Sequence, residues 1–173
     1  MHSNIQTFIT EDDDQYFATQ YKTIRQVLFN LLDTPVQTTF HIGGTKHFNY
    51  PTEPILDILV GVNNLHDITA LDEKRLNYEG FYRLHHPYKK KVVMAKFNNL
   101  IDLRQTVRLH IIQKDSPLYN AYLNTNEALS TKPELAEQFG QQKQQITQHV
   151  TTIRPYENQK QQLFTKLAKR LGT

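Results

Sequence analysis

The chain has 173 residues, 38% of them hydrophobic, which is enough for one sizeable core and a little short for two domains. Its 20 Lys and Arg against 17 Asp and Glu leave a net charge of +3, which gives no electrostatic case for a nucleic acid or membrane partner. It has no Cys, which excludes disulfides and thiolate metal sites. Because no segment resembles a signal peptide or a membrane span, we expect a cytoplasmic protein. From the length we expect a single domain over residues 1–173, in which residues 1–10 are flexible.

The first predicted element is an amphipathic helix behind the acidic run from Glu11 to Asp14. Apolar residues recur there at the three- and four-residue spacing that one helix face requires. Thr10 is placed to cap this helix, and Pro35 ends it. The apolar positions are Phe17, Tyr21, Ile24, Leu28 and Leu31.

Two strands come next, separated by a glycine turn and a loop. Residues that favour β-structure run from Val36 to Ile42 and stop at Gly43-Gly44, and the loop spans Thr45 to Pro54. The second strand, Ile55 to Val62, is almost continuously apolar, as is typical of a sheet interior. Asp57 is the charged exception within it.

The remaining elements alternate between helix and strand. We predict a helix from Leu65 or His66 to Leu76, then a hairpin from Phe81 to Phe97 that turns at His85-His86-Pro87. Residues 106–113 alternate between two sides, with Arg108 and His110 on the same side. Prolines divide the C-terminal part into three helices, at about 117–130, 133–150 and 155–171.

Asp57 needs a partner or a surface, because burying an isolated carboxylate is costly. If the strand 106–113 flanks the strand of Asp57, then Asp57, Arg108 and His110 converge near the glycine turn. Such a turn exposes backbone N–H groups that can hold phosphate oxygens. The alternative is that Asp57 and Arg108 form a buried salt bridge with no further role.

Five motifs occur in the order that one known family has them. They are HIGGT at 41–45, EPILDILVGV at 53–62, TVRLHII at 106–112, SPLY at 116–119 and KPELAEQF at 132–139. From about Phe40 to the C-terminus the chain resembles the GrpB family of the nucleotidyltransferase superfamily. It departs from that pattern at Gly44, where the family has Ser, at Glu53, where it has Lys, and at Val107 and Arg108, where it has two histidines.

The resemblance implies an α/β fold, a nucleotidyltransferase-like mixed sheet of about five strands with an N-terminal helix and a C-terminal helical segment. It implies transfer of a nucleotidyl or phosphoryl group from a nucleoside triphosphate to a small acceptor, with a divalent metal, Mg²⁺ or Mn²⁺ and alternatively Zn²⁺. The partners would then be a nucleotide and that acceptor. The implied roles are metal binding and catalysis for Asp57 and His110, nucleotide or phosphate binding for Gly43, Gly44, Thr45 and Arg108, and a place along the cleft for His41.

Position 59 supports a rival interpretation. The superfamily pattern places a second carboxylate two residues after the first, and this chain has Leu59 there. A nucleotidyltransferase-like domain that has lost catalysis and binds a ligand or a protein would explain that loss. A third alternative is a metal hydrolase that uses His41, Asp57 and His110.

Overall fold

A computed structural model describes residues 4–86 and 89–172 of the chain. A five-stranded sheet and six α-helices make up the described part, with short 3₁₀ turns at Asp13–Gln15 and Leu65–Asp67. The strands are β1 (Val36–Ile42), β2 (Leu56–Val62), β3 (Phe81–Arg83), β4 (Lys91–Phe97) and β5 (Gln105–Gln113). The helices are α1 (Tyr16–Asn30), α2 (Gly44–His47), α3 (Ala70–Tyr78), α4 (Pro117–Thr131), α5 (Pro133–Thr147) and α6 (Ile153–Arg170).

The sheet is mixed and has the order β1-β2-β5-β4-β3. β2 and β5 at its centre are parallel, and every other neighbouring pair is antiparallel. The register sets Ile42 opposite Asp57 and Asp57 opposite Arg108. Since residues opposite each other point to the same side, and those two apart on one strand do as well, His110 shares that side.

Both faces of the central strands are covered, which explains the almost continuous apolar run of β2. One face packs against α1, where Ile24 and Leu28 meet Ile58, Val60 and other sheet residues. The opposite face packs against the C-terminal helices. Its apolar contacts are Ile42, Leu59 and Ile112 with Tyr119, Tyr122 and Phe164.

The predicted fold class is confirmed. The mixed α/β sheet has β1 leading into the glycine turn, the adjacent β2 carrying Asp57, one helix before it and a helical segment behind it. β1 has the predicted bounds, and Pro117 and Pro133 each open a helix. Within the described part, no helix combines the length and the apolar character needed to cross a bilayer.

Three local predictions differ from the structure. Asp12 caps α1, not Thr10, because its carboxylate accepts hydrogen bonds from the Phe17 and Ala18 N–H groups at 3.0 and 3.3 Å. The predicted loop after the glycines begins with the single turn of α2. The helix predicted from Leu65 or His66 begins at Ala70, since Thr69 and Asp72 form a capping box there.

The N-terminal segment pairs with two segments that are distant in sequence. Asn4 and Ile9 form isolated β-bridges with Thr152 and Thr52, and the Ile9 N–H donates to the Thr52 carbonyl at 2.7 Å. Residues 1–3, and Pro87 of the predicted hairpin turn, lie outside the described residues. A flexible start and a single domain remain predictions.

Candidate functional site

A cavity of about 320 Å³ lies between the sheet and the three C-terminal helices. Its walls come from the glycine turn, β2, β4 and β5 on one side and from α4, α5 and α6 on the other. The volume falls in the range of about 300 to 1,000 Å³ that holds small molecules. The acidic and basic side chains along the wall are Glu53, Asp57, Glu157, Lys91, Arg108, Lys143, Arg154 and Lys160, and the histidines are His85, His86 and His110.

Asp57 and His110 form a hydrogen-bonded pair at the sheet side of this cavity. The distance between Asp57 Oδ1 and His110 Nε2 is 2.8 Å. Burial raises the pKa of Asp57, but the nearby Arg108 guanidinium and the hydrogen bond with His110 outweigh it and hold that pKa well below its usual range. An ionised carboxylate can only accept hydrogen bonds, so His110 donates from Nε2.

That hydrogen bond settles which nitrogen of His110 keeps a lone pair. Burial lowers the pKa of His110, and this effect outweighs the hydrogen bond and the charge of Asp57, which raise it. The pKa is therefore below its ordinary value, and the ring is neutral at neutral pH. With the proton on Nε2, Nδ1 is the acceptor. It has no hydrogen-bond partner among the described residues. The pair therefore holds the imidazole in a fixed orientation, with its acceptor nitrogen Nδ1 buried.

Arg108 connects β5 to α6 through a set of ion pairs. Its guanidinium lies 2.6 Å from Glu157, 3.6 Å from Asp57 and 4.0 Å from Glu53. Lys160 bridges the same two glutamates, at 3.4 Å from Glu53 and 3.0 Å from Glu157. The Arg108 side chain is 5% exposed and that of Glu53 is 2% exposed. Buried charges of this kind persist only when they are paired, so the network holds Arg108 and Glu157 in place.

Two further lysines stand on the cavity wall. Lys91 donates to the Tyr122 hydroxyl at 2.7 Å, and burial lowers its pKa to about 8. Lys143 on α5 is 3% exposed and donates to Thr52 Oγ1 at 3.3 Å. Burial, and then the charge of Lys160, lower the pKa of Lys143 to about 7.

The Gly43 N–H of the glycine turn is engaged within the protein. The Gly43 N–H donates to Asn126 Oδ1 at 2.8 Å, and a Cβ at Gly43 would lie 3.1 Å from Asp57 Oδ2. At Gly44 a Cβ would come within 2.5 Å of Thr52. The two glycines thus allow close contacts with Asn126, Asp57 and Thr52, and the Gly43 donor is not free for a phosphate.

Two predicted residues lie elsewhere. His41 was expected along the cleft, but it faces α1, where its ring stacks on Tyr21 at 5.4 Å. Thr45 is buried and its hydroxyl is hydrogen-bonded to His41 Nε2 at 3.0 Å. The physical reason is the register: Ile42 is opposite Asp57, so the preceding residue His41 points to the other side of the sheet.

The side chains near Asp57 do not fit the expected divalent metal. Asp57 Oδ1 is already held by His110 and Arg108, and Leu59, the next residue on that face, is apolar and fully buried. Within residues 4–86 and 89–172, no group of three or more His, Asp or Glu side chains is arranged to hold a metal ion. A divalent metal remains a prediction, and no chemical step below depends on it.

Sequence reasoning missed the contribution of the helices to this site. Glu157 and Lys160 are one helical turn apart on α6, and Lys143 shares a face of α5 with Phe139 and Ile146. Lys143 is a charged residue on the otherwise apolar face of α5, and this was the signal in the sequence that its side chain is buried. No local pattern indicates that α5 and α6 bring these side chains to Arg108.

The fold is similar to that of conserved protein GrpB from Enterococcus faecalis, whose crystal structure aligns with a TM-score of 0.70 at 20% identity over 96% of this chain and 99% of that chain. This likeness shows a shared fold. The Cid1 poly(U) polymerase bound to Mg 3'-dATP is similar at a TM-score of 0.48 and 14% identity, over 82% of this chain and 45% of that chain. A likeness at that level is too distant to transfer activity or substrate.

Sequence comparison gives the family. The glutamate-rich protein GrpB of Alkalihalophilus pseudofirmus is 26% identical over 145 residues, which is 83% of each chain. The family model described as GrpB protein matches residues 8–170. That match spans nearly all of the chain, and the protein belongs to the GrpB family.

Proposed function

We propose that the cavity binds a nucleoside triphosphate and that the protein transfers a nucleotidyl or phosphoryl group from it to a small acceptor. The observation that carries the proposal is the Asp57–His110 pair, with an unpartnered Nδ1 on a residue of the cavity wall. The surrounding cations would suit an anionic substrate. The motif resemblance to the nucleotidyltransferase superfamily supports the same reaction type as an analogy.

The chemistry assigned to His110 is general-base catalysis. Nδ1 takes the proton from the acceptor hydroxyl as the acceptor oxygen forms a bond to phosphorus. The bond from phosphorus to the leaving group breaks, releasing pyrophosphate in nucleotidyl transfer or a nucleoside diphosphate in phosphoryl transfer. Asp57 acts on the imidazole: it fixes the tautomer and stabilises the positive charge that develops on the ring.

Arg108 would neutralise charge on the transferring phosphoryl group from its place beside Asp57. Its position is set by Glu157, and this leaves the Nε atom without a hydrogen bond among the described residues. A divalent metal, if the reaction requires one, would have to reach the site together with the nucleotide phosphates.

Calorimetry and turnover measurements test the proposal. The wild-type protein and the His110→Gln variant are titrated with ATP, GTP, CTP and UTP, with and without Mn²⁺. Conversion of α- and γ-labelled nucleotides is followed with a mixture of small hydroxyl compounds and with water as acceptor. We expect both proteins to bind a nucleotide and only the wild type to convert it. His149→Gln, a change at an exposed histidine, is the matched control and should keep full activity.

The proposal fails if no nucleotide binds under any of these conditions. A second candidate function, a ligand-binding module without catalysis, is favoured by Leu59 and by the engagement of Asp57 with Arg108 and His110. It predicts that the wild type binds a nucleotide and never converts it, and that His110→Gln behaves like the wild type.

A further inference from the structure

Lys143 is a buried cation that the proposed chemistry does not use. Its ammonium lies 4.7 Å from the ring centroid of Tyr50, 5.3 Å from that of Phe8 and 5.9 Å from that of Phe139. Three rings hold it by cation–π attraction, which favours the charged form. The aromatic enclosure also fixes the direction of the side chain, and Lys143 lines the cavity.

The hydrogen-bonding capacity of this ammonium is mostly unfilled. An ammonium group has three donors. Among the described residues, Lys143 makes one hydrogen bond, to Thr52 Oγ1, and no ion pair within 4.0 Å. Two donors are therefore left without an acceptor in a buried position, where an unmade hydrogen bond is costly.

The carboxylates of the same cavity are already committed. Glu53 and Glu157 pair with Lys160 and Arg108, and Asp57 pairs with His110 and Arg108. The cavity wall carries five Lys and Arg side chains and three carboxylates. Among the described residues no carboxylate is left to pair with Lys143, so a bound anion would be its ion-pair partner.

We propose that Lys143 is the anchor of an anion subsite that holds the phosphate end of the ligand beneath α5, beside Thr52. This inference rests on the proposed function for the identity of the ligand as a nucleotide. The Gly43 end of the glycine turn is the less suitable place for phosphate because the Gly43 donor is used by Asn126 and because the Asp57 carboxylate faces it. The exposed Arg154, at the start of α6, lines the cavity as well and adds positive charge at its rim.

The position also implies proton uptake on binding. With its pKa at about 7, Lys143 is close to half protonated at neutral pH, and a bound anion raises that pKa. The charged groups that act on it are Lys160, Glu157, Glu53 and Asp57, with His47 a further neighbour that Lys143 itself affects. Binding at pH 7 should then take up about half a proton.

The test uses three probes, ATP, adenosine and inorganic tripolyphosphate, in calorimetry at pH 7 in two buffers of different ionisation enthalpy. The variants are Lys143→Met, which keeps an unbranched stem among the rings, and Lys143→Arg, which keeps a permanent charge. Lys166→Met on the exposed side of α6 is the matched control. Far-UV circular dichroism of each variant establishes that it is folded.

We expect Lys143→Met to lose roughly 10- to 100-fold in affinity for ATP and tripolyphosphate, the worth of a charge-assisted hydrogen bond, and to bind adenosine as the wild type does. Lys143→Arg should retain most of the anion affinity without the proton uptake, and Lys166→Met should match the wild type. Equal affinity of Lys143→Met and the wild type for both anions overturns the subsite.

The outcomes separate this inference from the proposed function. If tripolyphosphate binds through Lys143 but no nucleotide is ever converted, the anion subsite stands and the transfer reaction falls. If ATP is bound and converted equally well without Lys143, the reaction stands and the subsite falls. If the wild type binds none of the three probes, both are wrong.

Discussion

Replacing Lys143 with Met should remove a specific pH dependence of stability. The pKa of Lys143 falls from 10.5 in its ordinary state to about 7 in the folded protein, because of burial first and Lys160 second. Because the pKa is lower in the folded protein, the unfolded chain binds this proton more tightly, and this lowers the free energy of unfolding. The loss of stability becomes smaller as the pH rises towards the pKa of the unfolded chain. Integrating between these two pKa values gives a gain of about 2 kcal/mol in the free energy of unfolding from pH 7 to pH 9. The Met variant lacks this gain.

The measurement is urea unfolding of the wild type and the Lys143→Met variant at pH 7, 8 and 9, followed by far-UV circular dichroism. The stability of the variant minus that of the wild type should be largest at pH 7 and should fall by about 2 kcal/mol by pH 9. Lys91 also has a lowered pKa, but it remains in both proteins and cancels in the difference. A difference that stays constant with pH would refute the reasoning, because it would mean that Lys143 is fully protonated in the fold.

Three further changes have expected outcomes. Asp57→Asn should lower the free energy of unfolding by about 3 kcal/mol at pH 7, since Arg108 loses a buried partner. Because the pKa of Asp57 is lowered in the fold, the stability that its charge contributes is lost in acid. Urea titrations should therefore show the difference between wild type and variant shrinking once the pH drops below the ordinary pKa of Asp. Gly43→Ala should lower the melting temperature more than Gly80→Ala does. Both glycines have a positive φ, but a new Cβ at position 43 meets the Asp57 carboxylate at 3.1 Å, whereas one at position 80 meets a flexible side chain. Equal melting temperatures would contradict the contact. Asp12→Ala should cost about 1 kcal/mol through loss of the cap of α1, with Asp13→Ala near neutral, as measured by urea unfolding.

The elements that local chemistry defines were predictable from the sequence. β1 lies where its β-favouring residues end at two glycines, and α4 and α5 begin at prolines that can only occupy a first helical turn. Alternation along β5, together with pairing to β2, was enough to bring Arg108 and His110 to the side of Asp57. These inferences need only the period of a strand and the order of its neighbours.

The rest of the site depends on contacts between distant parts of the chain. His41 was misplaced because its side of the sheet depends on the register of β1 against β2, which the sequence does not reveal. Lys143, Glu157 and Lys160 reach the cavity only through the packing of α5 and α6 on the sheet. Charged residues on an amphipathic helix normally face water, and only Lys143, within the apolar stripe of α5, had a spacing that indicated otherwise.

The segment before α1 has a practical consequence for laboratory work on this protein. Its backbone is paired with Thr52 and Thr151, and its Phe8 ring covers Lys143 and contacts Tyr156. Trimming the first nine residues would strip one aromatic side from the enclosed lysine and let solvent in beside it. Truncated versions would therefore give misleading affinities.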